Sequence, residues 1–249
     1  MPYTPSHIAA VLPLRGKGGA GLPLAGLAAG SMSPDLVYFL PTPNWAIAAQ
    51  THSWWGILTW DLLLGTCLWL AWRLASHSLH GLVPDPIRRR WRPAGWPSSL
   101  VGFALVVAAV VVGSATHVLW DEFTHVGRFG ATHLPLLAAS YPTPIGMVPG
   151  FRLLQYASTV IGLASVVWVG LRQPVVWDPP RSQPALARAA AWLVPAGTVA
   201  AVIARLTVVD LTSRREVTFA AATVALTGAI ATTALLCLVH AVRTFATPR

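Results

Sequence analysis

The stretch from Leu100 to His125, LVGFALVVAAVVVGSATHVLWDEFTH, decides how the rest of the chain is read. Its first seventeen residues carry no ionisable group, and then His117, Asp121, Glu122 and His125 arrive within nine. A run of about 20 apolar residues crosses a bilayer as a helix. Ionisable side chains at the end of such a run are costly unless they are paired or coordinated. The segment therefore predicts a membrane helix that ends in a chemical site.

The composition extends that reading to all 249 residues, of which 55% are hydrophobic and 10% charged, with mean hydropathy +0.60. Soluble domains carry about 25% charged residues. An ordinary soluble protein, a disordered chain and a coiled coil are all excluded. The net charge of +9 would suit nucleic acid, but the seventeen cations sit at the ends of apolar runs and not on one soluble face. They are topology signals, and the expected partner is the lipid bilayer, with no nucleic acid. Cys67 and Cys237 lie singly inside apolar runs, so neither a disulfide framework nor a cysteine zinc site is indicated.

Five runs are long enough to span: Ser53 to Leu74, Leu100 to Trp120, Leu153 to Leu171, Ala189 to Val209 and Val217 to Val242. A sixth, Leu22 to Leu40, is interrupted by Pro23, Ser31, Ser33, Pro34 and Asp35, and reads as a re-entrant or interfacial helix. A signal peptide is disfavoured because Pro23 breaks the apolar part that would follow Arg15 and Lys17. The expected fold is all-α: a polytopic membrane helix bundle of about five transmembrane helices plus the N-terminal helical segment. It forms one integral membrane domain over 1–249. Residues 1–52 supply a metal-site segment, 53–172 the core helices carrying the His/Asp motif, and 186–242 two further transmembrane helices. Val175 to Pro184 is a loop.

Arg88, Arg89, Arg90 and Arg92 form the densest basic cluster, and the positive-inside rule places it in the cytoplasm. Alternation then puts His7, Asp35, His52, His117, Asp121 and His125 together at the extracytoplasmic face, although Arg214 and Arg215 also fall outside. On a helix, His117 and Asp121 share a face at a spacing that lets both bind one metal. Asp121 and His125 repeat the relation, but His117 and His125 would lie about 12 Å apart along a continuous helix. Either Asp121 bridges two metals, or the helix ends near Asp121 and His125 folds back. Taken singly, each histidine reads as an interfacial polar group; their convergence from distant sequence argues for a metal site.

Further motifs support this. Pro2-Tyr3-Thr4-Pro5-Ser6-His7, Gly30-Ser31-Met32-Ser33-Pro34-Asp35 with Tyr38-Phe39, the run from His117 to His125, and Leu154-Gln155-Tyr156 together resemble an uncharacterised family of bacterial multi-pass membrane proteins. That family is similar to the membrane-bound metal-dependent hydrolases. The order of histidines and aspartates also resembles, more remotely, the zinc-dependent phospholipase C and P1 nuclease superfamily. The resemblance implies Asp35, His52, His117 and Asp121 around one metal, His7 and the shared Asp121 around a second, and His125 in a third site. That third site would need an acid four residues after a later histidine, whereas His133 is followed by Leu137, so one or two ions are expected.

Zinc suits a mixed imidazole and carboxylate shell. Asp121 and Glu122 are the candidate catalytic carboxylates, Glu122 as general base, although on a helix it points about 100° away from Asp121. Asp61, inside the first span, either supports a ligand histidine or pairs within the bundle. Arg128 and Arg152 are candidate phosphate contacts. The leading expectation is a hydrolase of the bacterial inner membrane acting on a phosphoester or other ester, such as a lipid-linked substrate. The alternatives are a metal-ion or solute transporter, disfavoured by the near absence of polar groups in the third and fifth spans, and a non-catalytic protein with a structural metal site.

Overall fold

The computed structural model describes residues 3–15, 21–40, 44–93, 95–176, 181, 183–208 and 214–246. Half of the loop expected at Val175 to Pro184, and part of the expected 210–216 turn, lie outside them. Among the described residues the fold is all-α apart from one hairpin, and four helical stretches are long and apolar enough to cross a membrane: Leu100–His133, Gly150–Leu171, Pro184–Thr207 and Val217–Ala246. Their outer faces carry Val160, Ile161 and Trp168, then Trp192 and Ile203, then Ile230, Leu235 and Leu238, all exposed. Apolar surface on that scale requires lipid as its solvent.

The described residues group into two compact units, Met1–Leu70 with Pro97–Val169, and Ala71–Trp96 with Gly170–Arg249. In the first unit, a tight turn at Thr4–His7 continues into a short helix at Ile8–Val11. The next helix, α1 (Leu24–Met32), is about 14 Å long at nine residues, too short to cross a hydrocarbon core of about 30 Å. It gives way at Pro34 to a 3-10 turn, Ser33–Phe39, which carries Asp35. This is the interrupted helical segment expected for 22–40. Helix α2 (Trp45–Thr51) is capped by Asn44, whose Oδ1 accepts from the amides of Ala46 and Ile47, each at 3.1 Å, and it ends at His52.

The first expected span differs from the structure. Helix α3 (Trp60–Leu82) starts seven residues later than Ser53, after a 3-10 turn at Gly56–Leu58, and ends eight residues beyond Leu74. At 23 residues it is long enough to cross, but Asp61, Arg73, His77 and His80 make it too polar to stand among the four apolar stretches.

Helix α4 (Leu100–Thr124) is the spine of the first unit. α1 lies against it through glycines: a Cβ on Gly30 would run into the Val110 carbonyl, and one on Gly113 into the Leu27 carbonyl. Such small residues let helix backbones approach closely. Ser33 and Ser114 meet across this contact with Oγ atoms 3.0 Å apart, and Val11, Leu27 and Ala109 are sealed at 0% exposure. After the hairpin of β1 (Ser140–Thr143) and β2 (Gly146–Pro149), α5 (Gly150–Leu171) returns. It seats the N-terminal turn, with the Tyr3 amide donating to Thr159 Oγ1 at 3.1 Å and a Cβ on Gly162 being blocked by Ser6.

In the second unit, α6 (Pro184–Val208) pairs with α7 (Arg214–Ala246), with Gly197 against Thr232 and Gly228 against Ala201. Leu82, Leu186, Ala190, Leu236 and Cys237 form its core.

Candidate metal centre

Six polar side chains expected at one face come together here, and each is delivered by a different local device. His7 closes the N-terminal turn, Asp35 sits on the 3-10 turn after α1, and His52 follows α2 as its C-cap. His117 and Asp121 lie one turn apart on α4. The helix then stops: His125 has left helical conformation, at φ −120° and ψ 143°. Gln155 of α5 fixes that end by donating to the Thr124 carbonyl at 3.2 Å. His125 therefore leaves the helix and places Nδ1 3.3 Å from Asp121 Oδ1, whereas a continuous helix would have set it about 12 Å along the axis from His117.

Asp121 is the shared member. Its Oδ2 lies 3.5 Å from His117 Nε2 and 3.6 Å from His52 Nε2, while its Oδ1 faces His125 Nδ1 and, at 3.9 Å, His7 Nε2. Asp35 Oδ1 completes the inner group at 3.3 Å from His52 Nε2 and 3.7 Å from His117 Nε2. Asp35, His117 and Asp121 are at most 1% exposed, and His7 and His52 at most 5%.

The tautomers follow from the backbone. His117 Nδ1 stands 2.7 Å from the Ser31 carbonyl, and His52 Nδ1 stands 2.9 Å from the Ala48 carbonyl. A carbonyl only accepts, so each Nδ1 bears a proton, and in the neutral ring each Nε2 presents a lone pair. Two imidazole Nε2 atoms and two carboxylate oxygens thus converge at 3.3 to 3.7 Å, and with both rings neutral acceptor faces acceptor. His7 Nε2, His117 Nε2, Asp121 Oδ2 and His125 Nε2 are buried with no hydrogen-bond partner among the described residues. Acceptors packed against acceptors in a dry site repel unless a cation lies among them. Ligand atoms about 2.0 to 2.1 Å from a tetrahedral ion are about 3.4 Å from one another, which is the spacing seen.

Two sets of side chains, His7 with His117 and Asp121, and Asp35 with His52 and His117, can therefore hold a metal ion. Burial first, then the neighbouring His117, lowers His7 to about 3, so its imidazole is a neutral ligand at physiological pH. Burial raises Asp35, but His117 and a hydrogen bond from His52 outweigh it and leave the carboxyl below its ordinary value. Its other oxygen, Oδ2, accepts from the Thr4 hydroxyl at 2.6 Å.

A family model described as Domain of unknown function (DUF4184) matches residues 1–242 of the chain. The chain belongs to the DUF4184 family. No curated protein and no solved structure matches it. Membership in DUF4184 covers both units and all six clustered residues, and it assigns no chemistry.

Other residues singled out from sequence lie apart from the cluster. Glu122 is held by Arg128, whose Nη1 donates to Oε1 at 3.2 Å, and by the Phe129 amide, which donates to Oε2 at 3.0 Å. Its carboxylate thus closes the loop after α4. His133 is exposed and stacks on Phe129. Arg152 lies over the Phe151 ring. Asp61 is fully buried, and neither of its oxygens has a hydrogen-bond partner among the described residues. Thr4 and Gln155 stand in the quoted motifs, but their supporting roles, and that of Thr51, were not legible in the sequence. Thr4 bonds Asp35, Gln155 bonds the Thr124 carbonyl, and Thr51 Oγ1, within reach of the Ala48 carbonyl and His52 Nδ1, also contacts the Pro34 carbonyl at 2.9 Å and ties His52 to the Asp35 turn. The Ser31 and Ala48 carbonyls carry no residue-type signal at all.

Proposed function

We propose that this protein is a membrane-bound metal-dependent hydrolase with one or two zinc ions, acting on a phosphoester or other ester of a lipid or envelope intermediate at the extracytoplasmic face of the bacterial inner membrane. The observation that carries the proposal is the convergence of four buried ligand-type atoms of Asp35, His52, His117 and Asp121 at the end of a membrane helix.

A mixed shell of imidazole and carboxylate favours zinc over calcium or magnesium. Asp35, His52, His117 and Asp121 would hold one ion, and His7 and His125, with the second oxygen of Asp121, the other. Bound there, the metal supplies Lewis-acid activation of water and of the scissile oxygen. The chain's own contribution is orientation. The Ser31 and Ala48 carbonyls fix two ring tautomers, and the Thr4 hydroxyl aims Asp35. His125, at 23% side-chain exposure, is the open edge of the cluster. Arg128 follows it on the same loop, its amide bonded to the His125 carbonyl and its guanidinium paired with Glu122. An apolar groove of about 430 Å³, lined by Trp120, Phe123, Leu134, Leu137 and Leu154, borders the same turn of α4 and suits a lipid tail.

The test is elemental mass spectrometry on protein purified in mild detergent without chelator, with His117→Ala and Asp121→Ala alongside, followed by nitrophenyl phosphodiester and carboxyl-ester hydrolysis assays. One or two zinc ions lost in both variants, with hydrolysis lost in parallel, are expected. Well-folded wild type that neither retains nor takes up metal would overturn the proposal.

A further inference from the structure

A second groove lies entirely within the second unit, with a volume of about 630 Å³. Seven residues of α6 line it, among them Pro184, Ala187, Arg188, Ala191, Val194 and Pro195. Their spacing of three or four residues marks one helix face, and it continues for about 16 Å along the axis. Leu79 and Leu82 of α3 and Leu236 of α7 supply the facing apolar wall.

The groove is charged at one end only. There Arg181 donates to the Gly81 and Val83 carbonyls and to Asp85 Oδ1, each at 2.7 Å, so its guanidinium is committed to holding the loop. Asp85 is also taken by Arg88 Nε at 2.9 Å, so the one carboxylate at the mouth is neutralised twice. Arg188 is exposed and has no hydrogen bond or ion pair among the described residues. The mouth is therefore net positive with one uncommitted guanidinium, and the shaft behind it is apolar and runs into a helix long enough to cross the bilayer.

We infer that this groove binds an anionic phospholipid, with its phosphate on Arg188 and one acyl chain lying along α6 between α3 and α7. The head requires an anion, since the spare group is a cation with planar donors that match phosphate. The tail requires hydrocarbon, since below Arg188 α6 offers Ala190, Ala191, Val194 and Pro195. A soluble phosphate would leave the shaft empty, and a zwitterionic lipid would set its own cation against Arg188.

The experiment is electron paramagnetic resonance on the intact protein in phosphatidylcholine vesicles carrying a trace of spin-labelled phosphatidylglycerol or spin-labelled phosphatidylcholine. The motionally restricted fraction should favour phosphatidylglycerol by about fivefold at low salt, the worth of one arginine near an anionic lipid. Arg188→Gln should abolish that preference, whereas Arg243→Gln, near the C-terminal end of α7, should keep it. Ala191→Phe, which fills the shaft at an exposed position, should reduce the restricted fraction for both lipids. Equal fractions in the wild type, a preference that survives Arg188→Gln, one lost equally in Arg243→Gln, or one removed by excess inorganic phosphate would overturn the inference.

Discussion

His7 stacks face to face on His117, with ring centroids 3.7 Å apart and planes 14° from parallel. One ring belongs to the first turn of the chain and the other to a membrane helix, and both present an unsatisfied Nε2. Two cationic imidazoles at that separation would repel strongly in a buried site. The stack therefore does not hold two cations, and it couples docking of the N-terminal turn to assembly of the metal centre.

Replacing His7 by Phe separates those two roles. The phenyl ring keeps the stack and most of the volume but has no ligand atom. His7→Phe should retain the wild-type melting temperature of the metal-free protein while binding fewer ions per chain by elemental mass spectrometry. Unchanged metal content would reduce His7 to a packing residue.

The same residue sets a pH window. His7 is lowered to about 3 in the folded protein, against 6.5 when exposed. Between those values the unfolded state takes up a proton that the folded state refuses, so stability falls as pH drops through this range and is fully present above 6.5. Thermal unfolding of the chelator-treated protein should show that loss, and it should be smaller in His7→Phe. Identical profiles for the two proteins would contradict this origin.

Thr4 reaches the metal only through Asp35. Thr4→Val removes the hydroxyl that donates to Oδ2 and keeps the shape. Loss of such a supporting hydrogen bond costs about 10- to 100-fold in metal affinity. Competition with a zinc indicator should show that drop with stoichiometry unchanged at saturating metal.

Glu122 was the sequence-level candidate for a general base, yet its carboxylate is spent on Arg128 and the Phe129 amide. Glu122→Gln should leave metal content unchanged and cost about 0.5 to 2 kcal/mol of stability, as for loss of a helix cap. If the protein hydrolyses esters, a drop in rate of about 100-fold or more in this variant, with metal intact, would instead give Glu122 an acid–base role.

The contact of α1 with α4 can be tested apart from the chemistry. Gly30→Ala drives a methyl into the Val110 carbonyl and should cost about 1 to 3 kcal/mol or more. It should also weaken metal binding, because the next residue supplies the carbonyl that orients His117. Gly95→Ala, where a Cβ meets nothing, should change neither melting temperature nor metal content.

The sequence by itself determined that this is a helical membrane protein, because long apolar runs have one stable form in lipid and every backbone amide must be satisfied within it. It also nominated the six clustered residues, since an ionisable group beside an apolar run is costly enough to need a reason. It misplaced the ends of the first span: counting apolar residues from Ser53 to Leu74 ran through the 3-10 turn at Gly56–Leu58 and stopped short of Leu82, where the helix ends. Tertiary structure alone decided how the six meet. The helix break at His125 depends on a hydrogen bond from α5, the tautomers of His52 and His117 depend on carbonyls of α2 and α1, and the approach of α1 to α4 depends on two glycines facing opposite carbonyls. Backbone carbonyls are the same at every residue, so nothing in the order of side chains announces which of them a distant ring will find.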